Sequence, residues 1–325
     1  MEKVKLTTKD ERILEALDKN ANIPLSRLSK KVGVSRQVAE YRLKKLLLQK
    51  TIYQFYTLID VGRMGYSSFR VHIRIKNVDK EKYSNFAKDL FDNYPTFWVG
   101  FISGKFDIIA DIFAKNPNDF ERIISEVLKK HKNLIQSYEV LQILELDLFE
   151  YGYFFQNNHN RMAVAVHKNE GITKIDDIDK KILHKIKDNS RIAYEEVAEY
   201  VGITRNSIKN RIKKLEQKRI IAGYKIIVNF NHFGNQSFKI LIKYNSSKME
   251  QEKQLLEEIR QTPKILNILK FLGSWNLDIE IHAKDIRELQ EYIIGLRNKY
   301  SLIEDYEIIQ IIDDHGIDFY PKKIK

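Results

Sequence analysis

Residues 25–46 read LSRLSKKVGVSRQVAEYRLKKL, and this stretch decides the fold of the N-terminal part of the chain. A first apolar face at helical spacing is formed by Leu25, Leu28 and Val32. Gly33 can adopt the left-handed conformation of a tight turn, and Ser35 is a good N-cap residue for a following helix. The stretch therefore predicts two helices joined by a short turn.

The second of these helices is predicted to be amphipathic. Its inward positions, at the spacing i, i+4, i+7, are Ala39, Leu43 and Leu46. Its outward positions are Arg36, Gln37, Glu40, Tyr41 and Lys44. One face is thus expected to pack on a core, while the other presents polar and basic side chains to the surroundings.

Two further elements are predicted on either side of this helix pair. Thr8-Lys-Asp-Glu11 has the pattern of a capping box and starts a helix with the apolar face Ile13, Leu14 and Leu17. The stretch from Thr51 to Ile59 is rich in β-branched and aromatic residues and predicts the two strands of a wing. Three helices and a wing are therefore expected in residues 1–62.

The chain contains two copies of the same unit. A shift of 169 residues aligns residues 10–65 with 179–234 without a gap, and 14 of the 56 positions are identical. In the second copy the inward positions of the matching helix are Ile208, Ile212 and Leu215. The outward positions are Arg205, Asn206, Lys209, Asn210 and Lys213.

After this helical part, each copy changes to a different pattern. Residues Phe69–Ile75 alternate strictly between apolar and polar side chains, which predicts a half-buried strand. The elements expected next are a helix at Lys80–Asn93, strands at Phe97–Ser103 and Asp107–Phe113 around Gly104, a helix from Asn116-Pro117 and a strand at Ile135–Leu148. This β-α-β-β-α-β order is ferredoxin-like, and residues 238–312 repeat it.

We therefore predict an α+β chain in which two winged helix-turn-helix domains alternate with two ferredoxin-like βαββαβ domains. The linker lacks a clear period, apart from a strand expected at Met162–Val166. The predicted boundaries are winged helix-turn-helix 1–62, ferredoxin-like 63–150, linker 151–174, winged helix-turn-helix 175–231 and ferredoxin-like 232–325.

The positive charge of the chain is concentrated in the two helix-turn-helix blocks. The formal net charge is +12, and residues 1–62, 63–150, 151–231 and 232–325 contribute +6, 0, +7 and −1. General solubility would spread the charge along the chain, whereas concentration in two blocks is typical of a protein with a polyanionic partner. Double-stranded DNA is the partner that these basic helices predict.

Several classes of protein are excluded or disfavoured. The absence of cysteine excludes disulfide scaffolds, zinc ribbons and thiol nucleophiles. The eight histidines are dispersed, so we expect no metal site, no cofactor and no catalytic residues. No apolar run approaches the roughly 18 residues of a membrane helix, so no membrane association and a cytoplasmic location are expected.

The motifs together resemble the Lrp/AsnC family of feast/famine regulators, over about nine tenths of the chain. They include Asp10-x-x-Ile-Leu, Val32-Gly-Val-Ser35, Arg42-Leu-Lys-Lys-Leu46, Gly104-Lys-Phe-Asp107 and, in the second copy, Asp179-x-x-Ile-Leu, Val201-Gly-Ile-Thr204, Arg211-Ile-Lys-Lys-Leu215 and Gly273-Ser-Trp-Asn276. A member of this family normally has one helix-turn-helix domain and one ligand-sensing domain. Two copies in one chain imply an internal pseudo-dimer, and two chains could associate further.

The resemblance also implies a site for a small amino-acid-like effector at the paired ferredoxin-like domains. The residues implied are Gly104, Phe106, Asp107, Gly273, Trp275 and Asn276. Asp107 could neutralise the effector's amino group, or it could only form the turn. Asn276 stands where an acidic residue is expected, and the first wing has Tyr53-Gln54 instead of the usual alanine-glycine.

The residues predicted to contact DNA fall into two groups. Arg36, Gln37 and Tyr41, with Arg205, Asn206 and Asn210, are predicted to reach base edges, and because Lys209 replaces Glu40 the two half-sites should differ. Phosphate contacts are predicted for Lys44, Lys45, Lys213 and Lys214. Arg42 and Arg211 either contact phosphates or brace the fold.

Arg70, His72 and Arg74 lie on the polar face of the predicted strand, which paired sheets would bury. The positive charges then need partners, either acidic neighbours such as Asp111 or an anionic effector. The same residues allow an alternative function, since some proteins similar to this family decarboxylate siroheme-type tetrapyrroles. The basic outer faces of both recognition helices favour a sequence-specific DNA-binding transcription regulator.

Overall fold

The computed structural model describes residues 6–76, 79–151, 163–166, 171–321 and 323–324. The helices are α1 (Thr8–Lys19), α2 (Leu25–Val32), α3 (Arg36–Leu48), α4 (Lys80–Asn93), α5 (Pro117–Lys130), α6 (Asp177–Ile186), α7 (Tyr194–Val201), α8 (Arg205–Gln217), α9 (Glu252–Gln261) and α10 (Ile286–Lys299). The strands are β1 (Ile52–Ile59), β2 (Ser67–Ile75), β3 (Thr96–Ile102), β4 (Ile108–Ala114), β5 (Ile135–Phe149), β6 (Ala163–Val166), β7 (Ile221–Val228), β8 (Gln236–Tyr244), β9 (Ile265–Leu272), β10 (Leu277–Ala283) and β11 (Ile303–Ile317).

The chain folds into two compact units, and each is assembled from both sequence copies. The helical unit comprises residues 1–60, 149–164 and 174–235, and the sheet unit comprises residues 61–148, 165–173 and 236–325. The first copy comprises residues 1–150 and the second copy residues 175–325. Like domains from the two copies have therefore combined, so that the units do not follow the order of the chain.

The helices of the helical unit begin and end close to the predicted residues. Gly33 ends α2 with φ +73°, and the Ser35 hydroxyl accepts the Val38 N–H at 3.2 Å at the start of α3. The capping box, however, is Thr7 with Asp10 and not the predicted Thr8 with Glu11. The Asp10 carboxylate is the one that lies within reach of the Thr7 N–H, at 3.0 Å, and this fixes the helix start one residue earlier.

The predicted two-stranded wings are wrong. β1 is one continuous strand, and it pairs antiparallel with β7 of the second copy, with Phe55 opposite Ile226. The physical reason lies in the stretch Thr51–Ile59, which contains no glycine, proline, asparagine or aspartate and so offers no residue suited to a hairpin turn. The two helix-turn-helix domains are therefore joined to each other through the strands that were expected to form separate wings.

The sheet unit is a closed ring of eight antiparallel strands. Their order is β2, β4, β3, β11, β8, β10, β9 and β5, and β5 pairs again with β2. The two long strands close the ring because each pairs first within its own copy and then across to the other: β5 leaves β2 for β9, and β11 leaves β8 for β3. Each copy keeps the predicted ferredoxin-like order of elements, β-α-β-β-α-β.

Both faces of β2 are covered. In the first copy α4 and α5 bury the outer face, where Phe69 and Val71 meet Phe86 and Phe120. The inner face of β2 is buried too, since Arg70 is 1% and His72 0% exposed. The expected half-buried strand is thus buried on both sides, because the second copy covers its polar face.

The structure confirms the short strand expected in the linker, which runs over Ala163–Val166 as β6. Met162, the first residue of that prediction, lies outside the described residues, as does most of the predicted linker. Within the described ranges, no helix is long and apolar enough to cross a membrane.

Candidate nucleic-acid interface

Helix α3 presents a polar face to solvent because its apolar face is fixed in the core. Ala39, Leu43 and Leu46 are at most 9% exposed. The outward residues are all exposed, and they are Arg36, Gln37, Glu40, Tyr41, Lys44 and Lys45. Tyr41 is the aromatic residue among these and is 68% exposed, so its ring is available to a partner.

Helix α8 repeats this arrangement. Its N-cap Thr204 accepts the Ser207 N–H at 3.2 Å, and Ile208, Ile212 and Leu215 are at most 3% exposed. The exposed residues are Arg205, Asn206, Lys209, Asn210, Lys213 and Lys214. The structure therefore brings the predicted base-reading and phosphate-contacting residues onto one exposed face of each helix.

Arg42 and Arg211, also predicted as DNA contacts, are engaged inside their own domains. Arg42 Nη1 donates to Thr7 Oγ1 at 2.8 Å and to Asp10 Oδ1 at 2.9 Å. Arg211 Nη1 donates in the same way to Asp176 at 2.7 Å and to Asp179 at 2.8 Å. These contacts brace α3 against α1 and α8 against α6, so their role in DNA binding remains a prediction.

The brace changes the acidity of Asp10. Burial raises the pKa of this carboxyl group, but the hydrogen bonds from Thr7 and Arg42 outweigh it, and the pKa lies below its usual value. The carboxylate form is therefore the one that holds the start of α1 to α3.

Hydrogen bonds on both sides of the β1–β7 pair hold the two helix-turn-helix domains together. Ala21 N–H donates to Tyr224 O at 3.0 Å, and the matching Ser190 N–H donates to Phe55 O at 3.1 Å. Arg191 Nη1 donates to the carbonyl oxygens of Ala21 and Ile23 at 2.7 and 2.8 Å. Because backbone groups of both domains are used, the two domains form one body within the helical unit.

The two glycine turns of the sheet unit occupy matching places in the ring. The Ser103 N–H, beside Gly104, donates to Gln310 O on β11 of the second copy at 3.0 Å. At Gly273 an added Cβ would lie 2.5 Å from Leu141 Cδ2 on β5 of the first copy, and φ is +150°. Each turn thus lies against the long strand of the other copy, at the paired interface that the resemblance implied for an effector.

Asp107 and Asn276 make the same backbone contact in these turns. Asp107 Oδ2 accepts the Ile75 N–H at 2.7 Å, and Asn276 Oδ1 accepts the Tyr244 N–H at 2.8 Å. The shared contact requires an oxygen but no charge, which explains why asparagine suffices in the second copy. In the first copy the extra charge meets Arg74 Nη1 at 3.3 Å.

The other residues predicted near an effector lie inside or at the edge of the ring. Phe106 is 6% exposed and stacks on His72, with their ring centroids 5.4 Å apart. Trp275 is partly buried. The structure therefore brings these side chains to the turns, and effector binding by them remains a prediction.

A buried charge network lies inside the ring. Arg70 forms a bidentate pair with Asp111, with both N–O distances 2.7 Å, and also contacts Asp278 of the second copy. Lys239, at the position of the second copy that matches Arg70, reaches Asp278 at 3.2 Å and Glu280 at 3.1 Å. Pairing with acidic residues, one of the two expectations for Arg70, is therefore what the structure contains.

His72 lies beside this network without a hydrogen-bond partner among the described residues for either ring nitrogen. Burial and the neighbouring Arg70 lower its pKa to about 3, so the imidazole is neutral near pH 7. Arg74, the third residue of the motif, has a side chain that is 40% exposed.

Three residues that belong to the charge pairs of these sites were not predicted from sequence. They are Asp278 and Lys239 in the buried charge network and Glu195 beside α8. A signal for Asp278 did exist, because Asp278 and Glu280 alternate with apolar residues along β10 in the same way as Arg70 and His72 on β2. Glu195 belongs to α7 and pairs with Arg205 at 2.5 Å. No group of three metal-binding side chains occurs in the part of the chain that the structure describes.

Comparison with known proteins agrees with this organisation. Residues 6–47 and 175–216 each match the AsnC-type helix-turn-helix domain. The chain is 31% identical over 127 residues to an uncharacterised HTH-type transcriptional regulator of Pyrococcus abyssi, which covers 39% of this chain and 82% of the relative. It is 28% identical over 120 residues to a HTH-type transcriptional regulator of Methanocaldococcus jannaschii, covering 37% of this chain and 79% of the relative.

A solved structure of a siroheme decarboxylase resembles the chain over nearly its whole length. The siroheme decarboxylase NirDL superposes with a TM-score of 0.65, covering 95% of this chain and 92% of that protein, with 12% sequence identity. At this identity the likeness concerns the fold alone.

Proposed function

This chain belongs to the Lrp/AsnC family of DNA-binding transcription regulators, and from that premise we propose that its two helix-turn-helix domains read one DNA duplex together. The observation that carries the proposal is the β1–β7 pairing, which joins two domains with exposed basic helices. A homodimeric regulator brings two identical recognition helices to its operator. Here a single chain supplies both helices, and they differ in sequence.

In this proposal the outward residues of α3 and α8 have two tasks. Arginine and amide side chains make two-point contacts with base edges in the major groove, which Arg36, Gln37, Arg205 and Asn206 are placed to provide. The exposed lysines of both helices neutralise phosphates and supply affinity without sequence preference. Because α3 and α8 differ at three of these positions, the preferred site is asymmetric.

Selection of bound fragments from a random DNA pool tests the proposal. We expect one enriched site with two unlike halves, and an affinity that falls steeply with salt at a slope of roughly 0.9 per phosphate contact. Lys44→Ala and Lys213→Ala should weaken binding to all sequences alike, whereas Lys129→Ala, an exposed lysine on α5 of the sheet unit, serves as the control. Salt-independent affinity, or a perfect palindrome bound by one chain, would contradict the proposal.

We propose further that the sheet unit senses a small amino-acid-like effector at the Gly104 and Gly273 turns. The support is their position, since each turn lies against the long strand of the other copy. A ligand that bridges a turn and the opposite strand would bias how the two copies pair. Titration of free amino acids against the affinity for the selected DNA tests this, and an unchanged affinity with every amino acid contradicts it.

The likeness to a siroheme decarboxylase raises an enzymatic alternative, and we propose that this chain is not an enzyme of that kind. A tetrapyrrole carboxylate would need a free arginine or histidine, but Arg70 is 1% exposed and already meets Asp111 and Asp278. His72 is fully buried beside it. Incubation with siroheme should leave the visible spectrum of the tetrapyrrole unchanged. Loss of a carboxyl group as carbon dioxide would establish the alternative, whereas a shifted spectrum alone would show only that the chain binds the tetrapyrrole.

A further inference from the structure

The first helices of the two helix-turn-helix motifs, α2 and α7, have opposite charge. α2 carries Arg27, Lys30 and Lys31 and no acidic residue. α7 carries Glu195, Glu196 and Glu199 and no basic residue. In the 169-residue register Arg27 corresponds to Glu196 and Lys30 to Glu199, so two charges are reversed at matched positions. The net charges of the whole blocks, +6 and +7, conceal this difference.

These charges are on the surface that a duplex would meet. All six side chains belong to exposed residues. In a helix-turn-helix domain the second helix enters the major groove, while the first helix crosses the sugar-phosphate backbone. The basic residues of α2 would therefore neutralise phosphates, and the carboxylates of α7 would lie within a Debye length of them, about 8 Å at physiological salt.

Local pairs reduce the basic surface of the second domain further. Glu195 pairs with Arg205, the first residue of α8, at 2.5 Å, and Glu196 pairs with Lys185 of α6 at 3.0 Å. Lys185 also lies over the ring of Tyr200, with Nζ 5.4 Å from the centroid. The position in the first copy that matches Glu195 is Ser26, so Arg36 has no counterpart of the Glu195 pair; the acidic neighbour on its own helix is Glu40, which pairs with Lys44 at 3.0 Å.

We propose that the two helix-turn-helix domains bind DNA unequally: the first anchors the phosphate backbone, and the second adds sequence discrimination once the first is bound. The inference rests on the proposed function. Glu195 makes base contact by the second domain more costly, because Arg205 must leave this carboxylate before it can reach a base. An exposed ion pair contributes little to stability, so a well-placed guanine can displace it, whereas a random sequence cannot.

Binding of the full chain to a random-sequence duplex of about four helical turns separates the two domains. Replacing Arg27, Lys30 and Lys31 together by serine should lower affinity at least about tenfold and reduce the log-log salt slope by up to ~2.7, since each phosphate contact contributes ~0.9. Replacing Glu195, Glu196 and Glu199 together by glutamine should raise affinity about threefold or more. Lys129→Ser, in the sheet unit, is the control for a change of net charge.

A single variant sharpens the test. Glu195→Ser installs the residue of the first copy and frees Arg205, so affinity for random DNA should rise while the preference for the second half-site relaxes. All substituted residues are exposed, and thermal unfolding checks that the variants fold.

The possible outcomes are distinct. The proposed inequality of the two domains is overturned if the triple glutamine variant of α7 binds random DNA with unchanged affinity, or if it loses more affinity than the triple serine variant of α2. In either case, DNA binding by the wild-type chain would still support the proposed function. A wild-type chain that fails to bind any duplex overturns the proposed function and the inference together.

Discussion

In the helix-turn-helix domains the two sequence copies agree at the brace inside the fold and differ at half of the six outward positions of the recognition helices. Both copies contain the arginine-aspartate brace, as Arg42 with Asp10 and Arg211 with Asp179. The outward positions of the recognition helices, in contrast, change from Glu40 to Lys209 and from Tyr41 to Asn210. In these domains the second copy thus preserves the brace of the first and changes part of the surface that faces outward.

The largest expected effect concerns the buried charges, which also differ between the copies. Arg70→Met should lower the free energy of unfolding of the sheet unit by about 3–5 kcal/mol, because it leaves Asp111 and Asp278 buried without their main partner. Lys239→Met should cost clearly less, since Asp278 keeps Arg70 and Glu280 is partly exposed. Tryptophan fluorescence measures this, because Trp98 and Trp275 both lie in the sheet unit. Equal losses would show that the copies contribute alike.

Exchange of the outward residues of α3 should convert one half-site into the other. Gln37→Asn with Glu40→Lys and Tyr41→Asn copies the second helix while leaving the buried Ala39 and Leu43 in place. Each two-point base contact is worth roughly 1–3 kcal/mol of discrimination, so the selected site should become more symmetric. The reverse exchange at Asn206, Lys209 and Asn210 is the matched control. Indifference to both exchanges would show that the helices do not read bases independently.

His72 offers a test in which the second copy supplies the better residue. Its counterpart is Leu241, and His72→Leu should stabilise the sheet unit by about 1–3 kcal/mol because it removes a buried imidazole without hydrogen-bond partners. The pKa of His72 is about 3, below the unfolded value near 6.5, so its unfolded form binds more protons at low pH. The wild type should therefore lose stability as pH falls below about 6.5, and the variant should lose less. Equal pH profiles of tryptophan fluorescence would contradict this.

The two braces should differ modestly. Arg42→Met should destabilise its domain by roughly 2 kcal/mol, because the Asp10 side chain is buried, with 4% exposure. Arg211→Met should cost about 1 kcal/mol, since Asp179 is 15% and Asp176 53% exposed, so solvent screens both pairs more than it screens Asp10. Peptide-resolved hydrogen exchange at α1 and α6 measures each domain separately. If Arg211→Met speeds exchange at α6 more than Arg42→Met speeds it at α1, the second brace is the stronger one and the prediction is wrong.

The brace also predicts a dependence on pH. The folded pKa of Asp10 lies below its unfolded value, so its contribution is complete above that unfolded value, about 3.9, and is lost as pH falls through the folded pKa. Acid should therefore speed hydrogen exchange at α1 in the wild type, while Arg42→Met should show a weaker response.

The smallest effect is expected at the glycine turns. Asp107→Asn should change stability by less than about 1 kcal/mol, since an amide oxygen can still accept the Ile75 N–H, as Asn276 does for Tyr244, and the pair with Arg74 is solvent-exposed. The response of DNA binding to the effector should nevertheless disappear, because the charge is lost. Asn276→Asp is the matched control and should retain the response. If Asp107→Asn keeps the full response of DNA binding to the effector, the negative charge of Asp107 is not needed for effector binding.

Sequence was sufficient wherever neighbouring residues decide the structure. The helical spacing of Ala39, Leu43 and Leu46, the turn at Gly33 and the strand-helix order of both ferredoxin-like domains follow from local patterns. What failed was the partner of β1, and Asp278, the second acidic partner of Arg70, was missed, whereas the predicted pairing of Arg70 with Asp111 is confirmed. Both of the unpredicted contacts depend on residues of the second copy, β7 and Asp278, and a local pattern does not show which residues of the other copy they meet. The capping box was wrong by one residue because two threonines precede Asp10.

Because the two copies belong to one chain, a substitution in one copy leaves the matching position of the other copy unchanged. In an assembly of two identical chains every substitution occurs twice, and a new acidic residue near the axis faces its own duplicate. Asp278 occurs once, opposite Ile109 in the repeat register, and it bridges Arg70 of one copy and Lys239 of the other. A gene duplication without fusion would place two such carboxylates in the buried ring. The single gene can therefore accept changes, in the ring and on the recognition helices alike, that a symmetric ancestor would have had to accept in pairs.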